Sequence, residues 1–246
     1  MGISMVVTSG KGGAGKSTVT AGLGRALARR GLRVLLIDCD AGLRTLDCLT
    51  GVEENLVFDI SDVVCGRCAP AEAIYACPGE ENLFLLPAPV SIESRVSPAV
   101  MRRLVPMLRQ YYDYVLLDSP AGVGKGFSAA ACAAEKALVV CGPDPVGVRG
   151  AAAVRELLEK IPVPEIRLVI NRFDRADFSA GGLYEDLDAV IDHSGIRLLG
   201  VVPEDVLMTA AFLKGRPADR RLKGMLAMER IAARLQGERV PISPLG

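Results

Sequence analysis

The sequence predicts a single α/β domain on a doubly wound, mostly parallel sheet with helices on both faces. Three observations carry that expectation. Aliphatic and β-branched runs alternate with helical stretches along nearly all of the 246 residues, the pattern of successive βαβ units. Several of those runs are apolar throughout, as a strand covered on both faces requires. The first of them leads into a glycine-rich segment that opens a helix.

In order along the chain, residues 3–7 form the first strand and end in Thr8-Ser9-Gly10. From Lys16 to Arg30, apolar residues recur at Val19, Leu23, Ala26 and Leu27 with arginines between them, which predicts an amphipathic helix. Gly31 ends it, and residues 33–37 (RVLLI) follow as a buried strand. Further strands are expected at 83–86, 114–117, 137–141, 167–170 and 198–202. Helices are expected near 98–110, 126–134, 147–160, 183–192 and 219–235. Ser97-Pro98 reads as a cap followed by proline at the first helical position, and Pro106 is expected to kink that helix. The domain is expected to span 1–237, with 238–246 a short, loose tail.

Composition narrows the function classes. Half of the residues are apolar and 24% are charged, an ordinary globular balance. Trp is absent and aromatics make up 4%, so the core should be aliphatic. Lys plus Arg number 29 and Asp plus Glu number 29, leaving no excess of positive charge for a phosphate backbone, so nucleic acid is not an expected partner. No apolar stretch approaches the roughly 18 residues of a membrane span and no secretory leader is evident, which points to the cytoplasm. The seven cysteines are odd in number and scattered, as reduced thiols would be. Cys65, Cys68 and Cys77 offer three ligands where zinc or an iron–sulfur cluster takes about four. His193, the single histidine, lies in a polar turn with no serine elbow to serve.

The segment 10–18 reads GKGGAGKST and contains G-x-x-x-x-G-K-[ST] as Gly10, Gly15, Lys16 and Ser17. With a strand before it and a helix after it, this is a phosphate-binding loop. The backbone N–H groups of Gly10, Lys11, Gly12, Gly13, Ala14, Gly15, Lys16, Ser17 and Thr18 converge on phosphate oxygens, helped by the helix N-terminus. Lys16 reaches the β and γ phosphates, and the Ser17 hydroxyl ligates Mg2+. Asp38 and Asp40 close the second strand on the same sheet edge, where ligands of such folds bind, and are placed to meet metal or water. Asp118 ends the strand at 114–117 as a supporting magnesium ligand, and the glycine turn after it can sense a γ-phosphate. Asn171 ends a later strand with an amide that can donate and accept at once, which suits an adenine edge.

Lys11 makes the loop GKGGxGK[ST], which resembles the deviant Walker motif of the MinD/ParA ATPases. The segments DCDAGLR (38–44), DSPAG (118–122), NLFLLPA (82–88), LGV (199–201) and PED (203–205) are similar to those of the MinD branch of that family. The resemblance runs from residue 2 to about 237. It implies ATP and Mg2+ as ligands and a homodimer in the ATP-bound state, with Lys11 reaching the partner's nucleotide. It implies that Asp40 positions the attacking water, so that Lys11, Lys16 and Asp40 carry catalysis. It also implies that Asn171, Arg172 and Pro203 flank the base.

By the same resemblance the function is an ATP-gated switch in spatial regulation of cell division, with a division inhibitor and an ATPase activator as partners. Positioning of another structure such as flagella or pili, or a ParA-type partitioning role, is the alternative. Three departures bear on partners: Lys125 stands where the branch carries a carboxylate, Gly150 where it carries an acid after Arg149, and the tail lacks a lysine-rich amphipathic helix. The last predicts weak intrinsic membrane binding, with at most peripheral attachment at the inner face of the cell membrane.

Overall fold

The computed structural model describes residues 1–94, 96–122, 124–161 and 163–242. The last four residues of the expected tail therefore lie outside the described residues. Among those described, eight strands form one sheet: β1 (Ile3–Thr8), β2 (Val34–Asp38), β3 (Tyr75–Ala76), β4 (Leu83–Leu86), β5 (Tyr114–Asp118), β6 (Lys136–Cys141), β7 (Glu165–Phe173) and β8 (Leu198–Pro203). Their order is β3-β4-β2-β5-β1-β6-β7-β8. Every pairing is parallel except the two-residue edge strand β3 on β4.

β1 lies between β5 and β6, so the chain winds outward from it in both directions. A crevice opens at such a reversal beyond the C-terminal strand ends, and the phosphate loop leaves β1 there. The helices are α1 (Lys16–Arg29), α2 (Thr45–Thr50), α3 (Ile60–Val64), α4 (Pro98–Leu108), α5 (Lys125–Ala131), α6 (Pro145–Leu158), α7 (Arg175–Gly181), α8 (Leu187–Ser194), α9 (Val206–Leu213) and α10 (Lys223–Leu235). Alternate strand residues supply two cores. Val6, Leu35, Ile37, Val115 and Leu117 pack on the side of α4, α5, α6 and α8. Met5, Val7, Val34, Leu36 and Leu116 pack on the side of α1, α2, α9 and α10. The expected doubly wound fold is the fold observed.

Two expectations need correction. Helix α1 is not amphipathic: from Val19 to Ala28 every residue is buried, Arg25 included. The sheet covers one side of it, and α2 and α10 cover the other. The first part of the tail is strapped down rather than loose. Arg234 donates to the carbonyls of Val240 at 2.9 Å and Pro241 at 2.8 Å, and Arg30 pairs with Glu238. Helices α2, α3, α7 and α9 and strand β3 had no expectation attached. Each is eight residues or fewer, too short to show a period.

Candidate nucleotide site

The phosphate loop follows β1 because Gly13 and Gly15 can take φ of +79° and +84°, a backbone that turns successive N–H groups inward. Gly15 must also be glycine for space, since a Cβ there would lie 2.2 Å from the Asn171 amide nitrogen. Gly10 rests directly on α6, where a Cβ would meet the Gly150 carbonyl at 2.2 Å. Asn171 Nδ2 donates to the Ala14 carbonyl at 2.9 Å, so this buried amide braces the loop from the β7 side.

Lys16, Ser17 and Thr18 open α1. Lys16 is buried, whereas Lys11 is exposed at the loop's outer edge. Ser17 Oγ donates to Asp118 Oδ2 at 2.6 Å, and Thr20 Oγ1 lies 3.1 Å from Asp118 Oδ1. Sheet register places Asp38 beside Asp118 on β2 and β5. Asp38 accepts from the Asp40 N–H at 2.8 Å and the Leu46 N–H at 3.1 Å. Asp40 follows half-buried, its carbonyl accepting from the Leu43 and Arg44 N–H groups.

The two buried carboxylates disturb each other. Burial, joined by the charge of Asp118, raises the pKa of Asp38 to about 7. Asp118 is raised too, by burial, against the opposing pull of Lys16, Ser17 and Thr20. Two apposed acids beside a serine hydroxyl form an all-oxygen donor set that a hard divalent cation would relieve. Magnesium fits these residues: Ser17 as its ligand, Asp38 and Asp118 as the acids behind it. Among the described residues no group of three His, Cys, Asp or Glu side chains is placed to hold a metal ion.

A cavity of about 410 Å³ runs from Lys11 and Gly13 past Gly142 and Asp144 to Arg172, within the range of small-molecule sites. Arg172 holds the left-handed conformation at φ +56° and is 3.9 Å from Glu204. Pro203 ends β8 in register with Phe173. Asp205 turns inward to cap α9 at the Met208 N–H and to hold the Gly224 N–H. Thr20 and the Leu46 N–H had no place in the sequence reading. Thr20 had a legible signal: three residues after Ser17 it shares that helical face, a lone hydroxyl on an apolar side.

A family model described as the CobQ/CobB/MinD/ParA nucleotide binding domain matches residues 5–218. The chain belongs to this family. It is 40% identical over 250 residues to the septum site-determining protein MinD of Bacillus subtilis, covering 100% of this chain and 93% of that one. A chain of the MinC:MinD cell division protein complex of Aquifex aeolicus superposes with a TM-score of 0.88 at 36% identity, covering 99% of this chain and 100% of that one. The septum site-determining protein MinD of Pyrococcus horikoshii, complexed with Mg-ADP, gives 0.86 at 30% identity with 96% of each chain covered. Gly10 to Thr18, Asp38, Asp40, Asp118 and Asn171 all lie within the stretch that the family model matches.

Proposed function

We propose that this ATPase is a MinD-type switch in septum-site determination, closing as a homodimer on ATP and opening when ATP is hydrolysed. The observation that carries the reading is the Ser17–Asp118 hydrogen bond with Asp38 beside it: a magnesium-ready acid pair at the root of a phosphate loop. Similarity to MinD proteins over the full chain supports the same reading.

Magnesium, when bound, neutralises phosphate oxygens. The chain's own groups do the rest. Loop N–H groups and Lys16 hold the phosphates, and Asp118 holds the Ser17 hydroxyl, whose oxygen would ligate the ion. Asp40 orients the attacking water. Lys11, exposed and forward, reaches the nucleotide of a second copy. Asn171, Arg172 and Pro203 border the base. A division inhibitor and an ATPase activator are the partners proposed, the first by analogy with the MinC:MinD complex. No helix among the described residues is long and apolar enough to cross a membrane, and attachment, where it occurs, is peripheral.

Phosphate release from ATP by the purified chain tests the reading. Mg2+-dependent release that stops with EDTA and is lost in Lys16→Ala is the expected result. A chain that binds no nucleotide would sink it.

A further inference from the structure

Two turns into α1 from the phosphate loop stands a fully buried arginine. Arg25 is 0% exposed. Its guanidinium lies 4.9 Å over the Phe212 ring of α9, and Nη2 donates to the Leu49 carbonyl at 3.1 Å. Nε and Nη1 are shielded from solvent and have no hydrogen-bond partner. A guanidinium has five donors, so one bond is poor compensation for its burial, and an apolar side chain of the same length would stabilise the fold as well or better. The weight of the residue therefore lies in what its one bond holds.

Leu49 stands near the end of α2, where Gly51 turns the chain aside at φ +80°. At the other end of α2 the Leu46 N–H donates to Asp38, and Arg44 pairs with Asp47 at 2.9 Å while held left-handed at φ +47°. Asp38 is in register with Asp118, and Asp118 accepts from Ser17 in the first turn of α1. The contacts close a ring: α1, Arg25, the Leu49 carbonyl, α2, the Leu46 N–H, Asp38, Asp118, Ser17 and α1 again. Arg25 is the only side chain in that ring outside the nucleotide edge.

We propose that Arg25 is a positioning residue for ATP hydrolysis: by holding the Leu49 carbonyl it fixes α2, and with it the segment from Asp40 to Arg44 that precedes α2. It touches no substrate. The inference rests on the ATPase reading above.

The test compares Arg25→Met and Arg25→Lys with the parent chain in four measurements: thermal unfolding, Mg·ATP affinity, single-turnover hydrolysis and amide exchange at Leu46. Arg25→Met is expected to melt no lower than the parent and to bind within about twofold. It should hydrolyse about tenfold more slowly, with faster exchange at Leu46. Arg25→Lys, which keeps a donor for the carbonyl, should recover at least about half of the lost rate. Arg25→Met turning over at the parental rate would overturn the proposal. So would its failure to fold, which would make the guanidinium a prop of the fold, or a loss of rate that Arg25→Lys does not relieve. A parent chain that hydrolyses no ATP would defeat the ATPase reading instead, and Leu46 exchange would still report whether Arg25 fixes α2.

Discussion

Helix α1 buries charge at both ends, and the two ends are built on opposite terms. At its start, Lys16 faces Asp118, and the oxygens of Asp118 and its neighbour Asp38 accept from Ser17, Thr20 and the N–H groups of Asp40 and Leu46. Hydrogen bonding there is well supplied while negative charge is in excess. Further along, Arg29 meets Glu80 at 2.5 Å beside Arg25, and three buried guanidinium nitrogens of the two arginines lack partners. Charge there is opposed, while hydrogen bonding is short. A site missing only positive charge can take up and release a cation without rearranging. A site closed to solvent and missing acceptors has no such exchange open to it, and its influence passes through the backbone it holds.

The largest effect that separates the two ends is Lys16→Ala. Losing the one cation at the acid pair should weaken nucleotide binding by a factor on the order of 10² or more in a fluorescent-nucleotide titration. The Arg25 substitutions, in contrast, should leave binding nearly untouched. Asp40→Ala comes next: Mg·ATP stays bound, while single-turnover hydrolysis slows by a factor on the order of 10². A normal rate in that variant would move the water-positioning role to another group, Asp38 first.

The acid pair also sets a pH dependence. Asp38 has a folded pKa of about 7 against an ordinary value of 3.8, so between those two pH values the folded chain holds a proton that the unfolded chain has lost. Stability of the ligand-free protein should fall as pH rises through that window and level off above it, by on the order of 1–4 kcal/mol. Asp38→Asn should flatten the slope, and Mg·ATP should offset it. A melting temperature that rises from pH 5 to pH 7 for the ligand-free chain would contradict the excess of negative charge. The smallest effect is Gly150→Ala, whose Cβ would lie 3.3 Å from the Gly10 Cα. The loop must yield slightly, and nucleotide affinity should drop about two- to fivefold.

The sheet was legible because its strands are apolar throughout, and the loop because its glycines carry backbone demands that few other residues meet. Asp38 and Asp118 could be placed on one sheet edge from strand order alone. Arg25 could not be read correctly. Between Leu23 and Leu27 an arginine looks solvent-facing, and only the packing of α2 and α10 onto α1 reverses that. Helix α2 was equally invisible: six residues show no period, yet its Leu46 N–H completes Asp38. Asn171 was expected at the adenine edge. Its donor to the Ala14 carbonyl depends on the close approach that Gly15 permits, a distance that sequence spacing does not encode.

Nucleotide-dependent association tests the switch most directly. Light scattering of the purified chain with Mg2+ and a non-hydrolysable ATP analogue should give twice the chain mass, and Mg·ADP should give the single mass. Lys11→Ala should stay at the single mass in both while still binding nucleotide. A parent chain that stays monomeric with the saturating analogue, or a Lys11→Ala dimer, would contradict a switch closed by Lys11 across two copies.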